Sequence, residues 1–374
     1  MTPSERLEQL LTIAVAGLTD YAVLAEDNRT RVNSICQSQS NRACVRLLMA
    51  CLLAKLDRPE TDPRKPYTEI GTTDSFSGRS YDEQYIGRFV VLHRLPCNST
   101  TAFLTPALRN IDRPLTPEFV LVGTPRQLYA DTQHLLNDVA EGRESAEGML
   151  TDTIRILIRM RDERLNRLAQ LQAEMSAGAD ILPLSSEAIL TLIRQHLACK
   201  YSSRLPVLII AAVYRAVADR VGERFLPLRA HNAADEQTGA IGDIEITLEN
   251  EDRICTVYEM KQKVVSLGDL DRAVQKLASL SHRIDNYVVI TTDRIDEAVN
   301  EHAATLYEAT GGTEFVLLDC VGFIRHFLHL FHRRRADFLD AYQSLLLDEP
   351  DSSVGLPLKE AFLALRRAAM ATND

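Results

Sequence analysis

From residue 242 onward the sequence alternates between short apolar strands and long helices, and this alternation constrains the fold more than any other feature. Segments 287–291 and 314–318 are rich in apolar and β-branched residues, which is typical of buried strands. Helices of ten or more residues between such strands imply crossover connections and a partly parallel sheet covered on both faces. We therefore expect an α/β fold in which a mixed sheet is flanked by helices. Helical spacing predicts the helices of this half over 186–198, 205–221, 269–281 (capped by Asp269), 295–309, 321–346 and 358–370.

The first half of the chain is predicted to be mainly helical. Apolar residues recur at helical spacing through residue 56, and a long charged helix is indicated over 151–177. A prior of ~150 residues per domain favours two or three domains, or one large domain with insertions, for a chain of 374 residues. Because Gly178 marks a break after the charged helix, we expect two domains, 1–178 and 179–374.

Two segments interrupt the helical pattern of the first half. Residues 58–81 are polar and punctuated by proline and glycine, and residues 93–117 form a second irregular polar stretch. Residues 119–122 have the pattern of a short strand, whereas 86–92 fit either a strand or a buried helix. Loops of this kind on a helical scaffold are suited to recognition.

Composition narrows the classes of function. The longest apolar run, 205–213, is too short to span a bilayer, so we expect a buried helix there and no membrane association. Seven scattered cysteines without a CxxC pair argue against a zinc or disulfide framework. Together with a start typical of a capped helix, they favour a reducing, cytoplasmic location. The net charge of −10 argues against nonspecific polyanion binding over the whole surface, but it allows a basic groove for nucleic acid.

Two predicted strands carry two acids and a lysine close together. The first, 242–246, contains Asp243, and the second, 254–261, ends with Glu259 and Lys261. Residues two apart on a strand share a face, so these last two side chains point the same way. If the strands pair, Asp243 lies beside them. Two carboxylates and one ammonium would then converge, as metal-assisted phosphodiester hydrolysis requires.

The alternative is that this acid-x-lysine pair is solvated and without chemistry, as most such pairs are. Against that reading, apolar residues on both sides, including Ile244 and Val257, indicate strands within a sheet. Charges in such a position are unfavourable unless they are paired or bound to a metal. The catalytic reading is therefore the stronger one.

This arrangement resembles the PD-(D/E)XK nuclease superfamily. Gly242-Asp243 takes the place of its Pro-Asp, without the proline, and Glu259-Met260-Lys261 matches its acid-x-Lys. The resemblance implies that Asp243 and Glu259 hold Mg²⁺ with help from the Met260 carbonyl. It also implies that Lys261 orients or deprotonates the attacking water and offsets charge on the phosphate.

Three neighbouring residues are weaker candidates. Glu223, placed on the helix before the motif, resembles the accessory helical acid of this superfamily, although it also fits an exposed helix end. Gln262 is a candidate for contact with the DNA backbone or the nucleophile, and Lys263 shares the face of Lys261.

The N-terminal half resembles the SacI family of restriction endonucleases. The similarity lies in RKPYTEI at 64–70, DSFSGRSYDE at 74–83 and LPCNSTTAFLTPALRN at 95–110. Arginine, asparagine, serine and threonine side chains can address base edges and phosphates, so these segments suit sequence readout. An ordinary surface loop is the alternative. The candidate DNA-binding residues are Arg64, Lys65, Arg79, Arg109, Asn110 and Lys263.

The sequence therefore predicts a cytoplasmic, Mg²⁺-dependent restriction endonuclease that cuts double-stranded DNA. A palindromic target would require a homodimer. Two alternatives stay open: a PD-(D/E)XK nuclease of repair, phage defence or modification-dependent cleavage, and a noncatalytic DNA-binding protein on a nuclease fold.

Overall fold

A computed structural model describes residues 1–16, 24–38, 42–98, 100–176, 183–228, 241–280, 282–351 and 353–371. The chain divides into two compact units, Met1–Arg167 and Leu168–Asp374. The division falls inside one long helix, Ala146–Ser176. The boundary predicted between residues 178 and 179 lies outside the described residues, so it stays a prediction.

The first unit is built around a helix that is buried on all sides. In helix α3 every residue from 43 to 54 is buried, as expected of a helix that is apolar around its whole circumference. Its one charged residue in that stretch, Arg46, is 2.7 Å from the carboxylate of Asp82, which is also buried. The helices of this unit are α1 (Pro3–Ala16), α2 (Glu26–Gln37), α3 (Ala43–Asp57), α4 (Gly78–Tyr81), α5 (Gly87–Leu92), α6 (Arg126–Ala140) and α7 (Ala146–Ser176).

The mainly helical character predicted for this half is confirmed for its described residues. The ambiguous segment 86–92 is helical: Ile86 ends a π-helix over Asp82–Ile86, and α5 begins at Gly87. The prediction of a strand over 119–122 is wrong. This segment makes local turns instead, in which the amide of Phe119 donates to the Thr116 carbonyl and the amide of Gly123 donates to the Leu121 carbonyl. Val120 and Val122 are exposed, since no strand in the described part of this unit is available to pair with them.

The described residues of the second unit form a five-stranded sheet, and its mixed character confirms the prediction of a mixed sheet. Its strands lie in the order of the chain, with β1, β2 and β3 antiparallel and β3, β4 and β5 parallel. A hairpin joins β2 to β3, whereas helical crossovers join the parallel strands. The strands are β1 (Glu223–Phe225), β2 (Ile244–Leu248), β3 (Ile254–Lys261), β4 (Asn286–Thr291) and β5 (Glu314–Asp319).

Helices cover both faces of this sheet. One face packs Ile246, Tyr258 and Ile290 into a core with α8, α9, α12, α13 and α14, and the other packs Val257 and Val289 against α10 and α11. No helix in the described ranges combines the length and apolar character needed to cross a membrane. These helices are α8 (Ser186–Leu197), α9 (Leu205–Val221), α10 (Leu267–Ala278), α11 (Glu297–Ala309), α12 (Cys320–Leu330), α13 (Arg335–Asp348) and α14 (Leu356–Ala371).

Two helical details differ from the prediction. The cap of α10 is Ser266, and Asp269 closes a capping box with it from the third helical position. The helix predicted over 321–346 is two helices, because a 3₁₀ turn at His332–Arg334 separates α12 from α13. The break lets Phe327 and Phe338 pack against each other, with ring centroids 5.7 Å apart, from two different helices.

All seven cysteines lie in the described residues, and none forms a disulfide. Burial raises the pKa of the Cys36 thiol well above its usual range and that of Cys44 to about 12. These thiols therefore behave as small apolar side chains.

Candidate active site

The predicted residues Asp243, Glu259 and Lys261 come together where the hairpin strand β3 meets the parallel part of the sheet. Asp243 directly precedes β2, and its amide donates to the carbonyl of Tyr258 at 2.9 Å. Its exposed carboxylate accepts a hydrogen bond of 2.7 Å from the amide of Met260. The acid is thus fastened to the backbone of the acid-x-lysine segment itself.

Gly242 allows this close approach. A Cβ at this position would lie 2.4 Å from a methyl carbon of Val257 and 2.7 Å from the carbonyl oxygen of Tyr258. Contacts under 3.0 Å require something to move, and here one of the two atoms belongs to the backbone. Strand β3 therefore leaves no room for a side chain at residue 242, and glycine is the residue that fits there.

Glu259 and Lys261 share a face of β3, as period-two geometry predicts. The Lys261 Nζ is 2.7 Å from a carboxylate oxygen of Glu259, and both side chains are largely buried, 25% and 20% exposed respectively. Burial, and then the nearby charge of Asp243, raises the pKa of the Glu259 carboxyl, while the Lys261 ammonium acts to lower it. The site therefore holds two mutually unfavourable carboxylates next to one ammonium.

A further cation near Glu259 escaped the sequence prediction. Lys276 of α10 also acts to lower the pKa of Glu259. It lies one turn after the buried Ala273, and helical side chains lean toward the N-terminus of their helix. Because α10 follows β3 directly in the chain, the N-terminus of α10 is close to the end of β3, and the Lys276 side chain leans in that direction. Sequence alone showed only a lysine beside an apolar stripe.

A buried acid was also missed. Glu245 is two residues from Asp243 and pairs with Val257, so it lies on the sheet face of Glu259. It is only 5% exposed, and one of its oxygens accepts the amide of Ile241 at 2.7 Å. Glu245 therefore holds the chain that leads into Gly242-Asp243.

Gln262 and Lys263 lie beside the site on exposed chain. The Gln262 side-chain amide donates to the hydroxyl of Ser202 across 3.4 Å. Lys263 is 3.5 Å from Asp269, which Arg272 also contacts at 2.6 Å. Although burial acts to raise it, hydrogen bonds from Ser266 and Arg272 hold the pKa of Asp269 well below its usual range.

The predicted location of Glu223 is wrong. Helix α9 ends at Val221, and Gly222 adopts a φ of +66°, so Glu223 begins strand β1 instead of closing the helix. Glu223 pairs with Leu248, and Phe225, two residues further along β1, pairs with Ile246. Because residues two apart on a strand share a face, Glu223 lies on the sheet face of Ile246. Burial and the neighbouring Tyr258, together with Glu223, raise the pKa of Tyr214 on that face. The structure thus brings Glu223 to Tyr214 and places it on the face opposite Glu259.

The DNA-binding candidates of the first unit fall into two groups. Arg64 contacts Asp62 at 2.9 Å and the side chain of Asn137, and Lys65 contacts Asp74 at 2.7 Å. Both therefore brace the 58–81 segment.

The second group is exposed. Arg79 is 54% exposed, in an i,i+4 pair with Glu83 at 2.7 Å. Arg109 and Asn110 are exposed, and Asn110 adopts a φ of +56°. Ser99, within the third of the resembling segments, lies outside the described residues.

The donor set fits a hard divalent cation. The carboxylates of Asp243 and Glu259 repel each other at the end of one strand pair, where the Met260 amide bonds Asp243. Carboxylate oxygens are the ligands that Mg²⁺ prefers. No group of three or more histidine, cysteine, aspartate or glutamate side chains with metal-binding geometry occurs among the described residues. Any metal here would therefore depend on Asp243, Glu259, a backbone carbonyl and water.

No protein-family model matches the chain, and no curated protein matches it significantly. The functional conclusion therefore depends on the geometry of the site and on the motifs in the sequence.

Proposed function

We propose that this protein is a metal-dependent endonuclease of the PD-(D/E)XK type that cleaves double-stranded DNA as a restriction enzyme. The observation that carries the proposal is the contact of 2.7 Å between Lys261 and Glu259, whose pKa is raised by burial and then by the neighbouring carboxylate of Asp243. A largely buried acid-lysine pair next to a second acid has no packing purpose, because apolar residues would fill the space more favourably.

The residues divide the chemistry among them. Asp243 and Glu259 would hold Mg²⁺ with the Met260 carbonyl, and the ion would activate water and offset charge on the phosphodiester. Lys261 orients the attacking water and stabilises negative charge on the phosphate. The hydrogen bond from the Met260 amide holds the Asp243 carboxylate at the same strand end.

The test is cleavage of supercoiled plasmid in Mg²⁺ by the wild type, Asp243→Ala and Lys261→Ala, with EDTA as the metal-free control. Each substitution is expected to lower the rate about a hundredfold or more. Glu301→Gln, which changes an exposed carboxylate on α11, serves as the matched control and is expected to cut like the wild type. Equal cutting by all four proteins would reject this site, and no cutting by the wild type would reject the function.

Site-specific restriction predicts more than nuclease activity. Unmodified plasmid is expected to give discrete fragments, whose run-off sequencing yields the target, and a palindromic target would agree with a homodimer. Cleavage restricted to modified DNA, or without fixed ends, would instead favour a nuclease of repair or defence. A methyltransferase gene beside the coding sequence would support restriction, because a site-specific nuclease endangers its own host.

A further inference from the structure

One aromatic residue, Tyr201, has an unfavourable backbone conformation, and it lies in a loop that contacts Gln262 beside the candidate site. Tyr201 has a φ of +63°, in the left-handed region that bulky residues rarely adopt, and the residue is 88% exposed. An exposed ring gains nothing from burial that would offset this backbone strain. Strain of this kind concentrates at positions that bind ligands.

The loop around Tyr201 is anchored on both sides. Before it, the amide of Cys199 donates to the carbonyl of His196 at 3.1 Å. After it, the Arg204 guanidinium is 2.9 Å from Glu349, and these two side chains are only 5% and 10% exposed. The backbone of Tyr201 is therefore fixed by its neighbours, which present the ring to solvent.

This loop reaches the candidate active site. Ser202, the next residue, accepts the hydrogen bond from Gln262, which directly follows Lys261. Tyr201 is thus adjacent in sequence to Ser202, and Lys261 is adjacent to Gln262, so one hydrogen bond connects the two neighbourhoods.

The charge of the surroundings suits a polyanion. Lys200, which precedes the tyrosine, is exposed, and Lys263 beyond Gln262 is 63% exposed. An exposed ring that follows an exposed lysine in the chain is a combination by which proteins contact a nucleic-acid backbone and its bases together.

We propose that Tyr201 is a substrate-contacting residue whose ring stacks on a base of DNA bound at the Glu259–Lys261 site, while Lys200 contacts a neighbouring phosphate. This inference rests on the proposed nuclease function and adds a DNA-contacting element to it. Stacking uses the face of the ring, so the tyrosine hydroxyl is dispensable.

The first experiment exploits the absence of tryptophan from the chain. Tyr201→Trp, in the Asp243→Ala background so that DNA stays intact, provides a single tryptophan at the proposed contact, which can be excited selectively over the tyrosines. Titration with duplex DNA in Mg²⁺ is expected to quench its emission, because stacking on a base quenches indole fluorescence. Tyr307→Trp, on α11 where the native ring is 51% exposed, is the matched control and is expected to keep its emission.

The second experiment separates a functional role from a structural one. In the Asp243→Ala background, Tyr201→Asn is expected to weaken binding of a fluorescein-labelled duplex about tenfold in an anisotropy titration. Its Tm is expected to stay unchanged or rise, because asparagine tolerates the left-handed conformation. Tyr201→Phe is expected to bind like the background protein, since the stacking face is retained.

The outcomes distinguish this inference from the function on which it rests. Duplex binding with no tryptophan quenching and with unchanged affinity of Tyr201→Asn would overturn the role of Tyr201 and leave the nuclease proposal standing. A large fall in the Tm of Tyr201→Asn would show that the residue is structural. Failure of the wild type to bind or cut DNA would overturn both proposals.

Discussion

Acid is expected to destabilise the second unit through one buried histidine. His196 of α8 lies between α13 and α14, where its Nδ1 is 2.9 Å from the Tyr342 hydroxyl and its Nε2 is 2.9 Å from the Leu358 carbonyl. A carbonyl only accepts, so Nε2 carries the proton and Nδ1 accepts from the tyrosine. The ring is completely buried and neutral in this arrangement.

The magnitude follows from the pKa of this side chain. Burial lowers the pKa of His196 from 6.5 to about 4, although the bond to Leu358 acts in the opposite direction. Below pH 6.5 His196 is protonated in the unfolded chain but stays neutral in the folded chain, so the free energy of unfolding decreases as the pH falls. The loss is expected to reach about 2 kcal/mol at pH 5 and about 3 kcal/mol near pH 4.

The assay is native-state hydrogen exchange of the full chain at neutral pH and near pH 5, read at the amides of α8 and α14. Other groups also titrate in this range, so the informative quantity is the difference from His196→Gln, whose side chain does not titrate. The substitution is expected to lower stability at neutral pH but to remove about 2 kcal/mol of the loss near pH 5. His329→Gln, an exposed position on α12, controls for the loss of any histidine.

The same loss between the two pH values in the wild type and in His196→Gln would refute this reasoning. So would a wild type whose α8 amides become better protected as the pH falls, because the sign of the linkage would then be opposite.

Two further substitutions test the packing of the site and of the first unit. Gly242→Ala is expected to destabilise the fold by about 1–3 kcal/mol in chemical denaturation, because its Cβ would overlap β3. The control, Gly268→Ala at the open start of α10, is expected to stabilise the fold by ~0.5 kcal/mol. Equal effects of the two substitutions would contradict the steric explanation. Arg46→Met leaves the buried Asp82 without its cation and is expected to lower stability by about 3–5 kcal/mol, whereas Arg79→Met, which breaks an exposed pair, is expected to change it by less than about 1 kcal/mol. A small effect of Arg46→Met in thermal unfolding would show that the remaining hydrogen bonds to Asp82 suffice.

The parts of the fold that sequence predicted are those governed by local periodicity. The parallel strands β4 and β5 and the helix between them follow from apolar runs and helical spacing, and their positions agree within a few residues. The shared face of Glu259 and Lys261 follows from the two-residue period of a strand. Each of these predictions needs only the chain within one element.

The errors arose where partners distant in sequence decide the conformation. Residues 119–122 have strand-like composition, but the described part of the first unit contains no strand to pair with them, and an isolated strand cannot satisfy its backbone groups. The break near residue 332 depends on how Phe327 and Phe338 pack after the chain turns. Helical spacing continues through that break, so periodicity alone could not reveal it.

Glu223 illustrates why a site cannot be assembled from motifs alone. A glycine just before it permits a left-handed turn that ends α9, and the antiparallel register of β1 then decides which face receives each side chain. A shift of one residue would have brought Glu223 to the face of Glu259. In the observed register, the additional acid on the face of Glu259 is Glu245. Its carboxylate accepts a hydrogen bond from the Ile241 amide and so positions the backbone that leads to Asp243. The third carboxylate of this region thus supports the backbone of the site, whereas Asp243 and Glu259 are the two acids that the proposed function assigns to the metal.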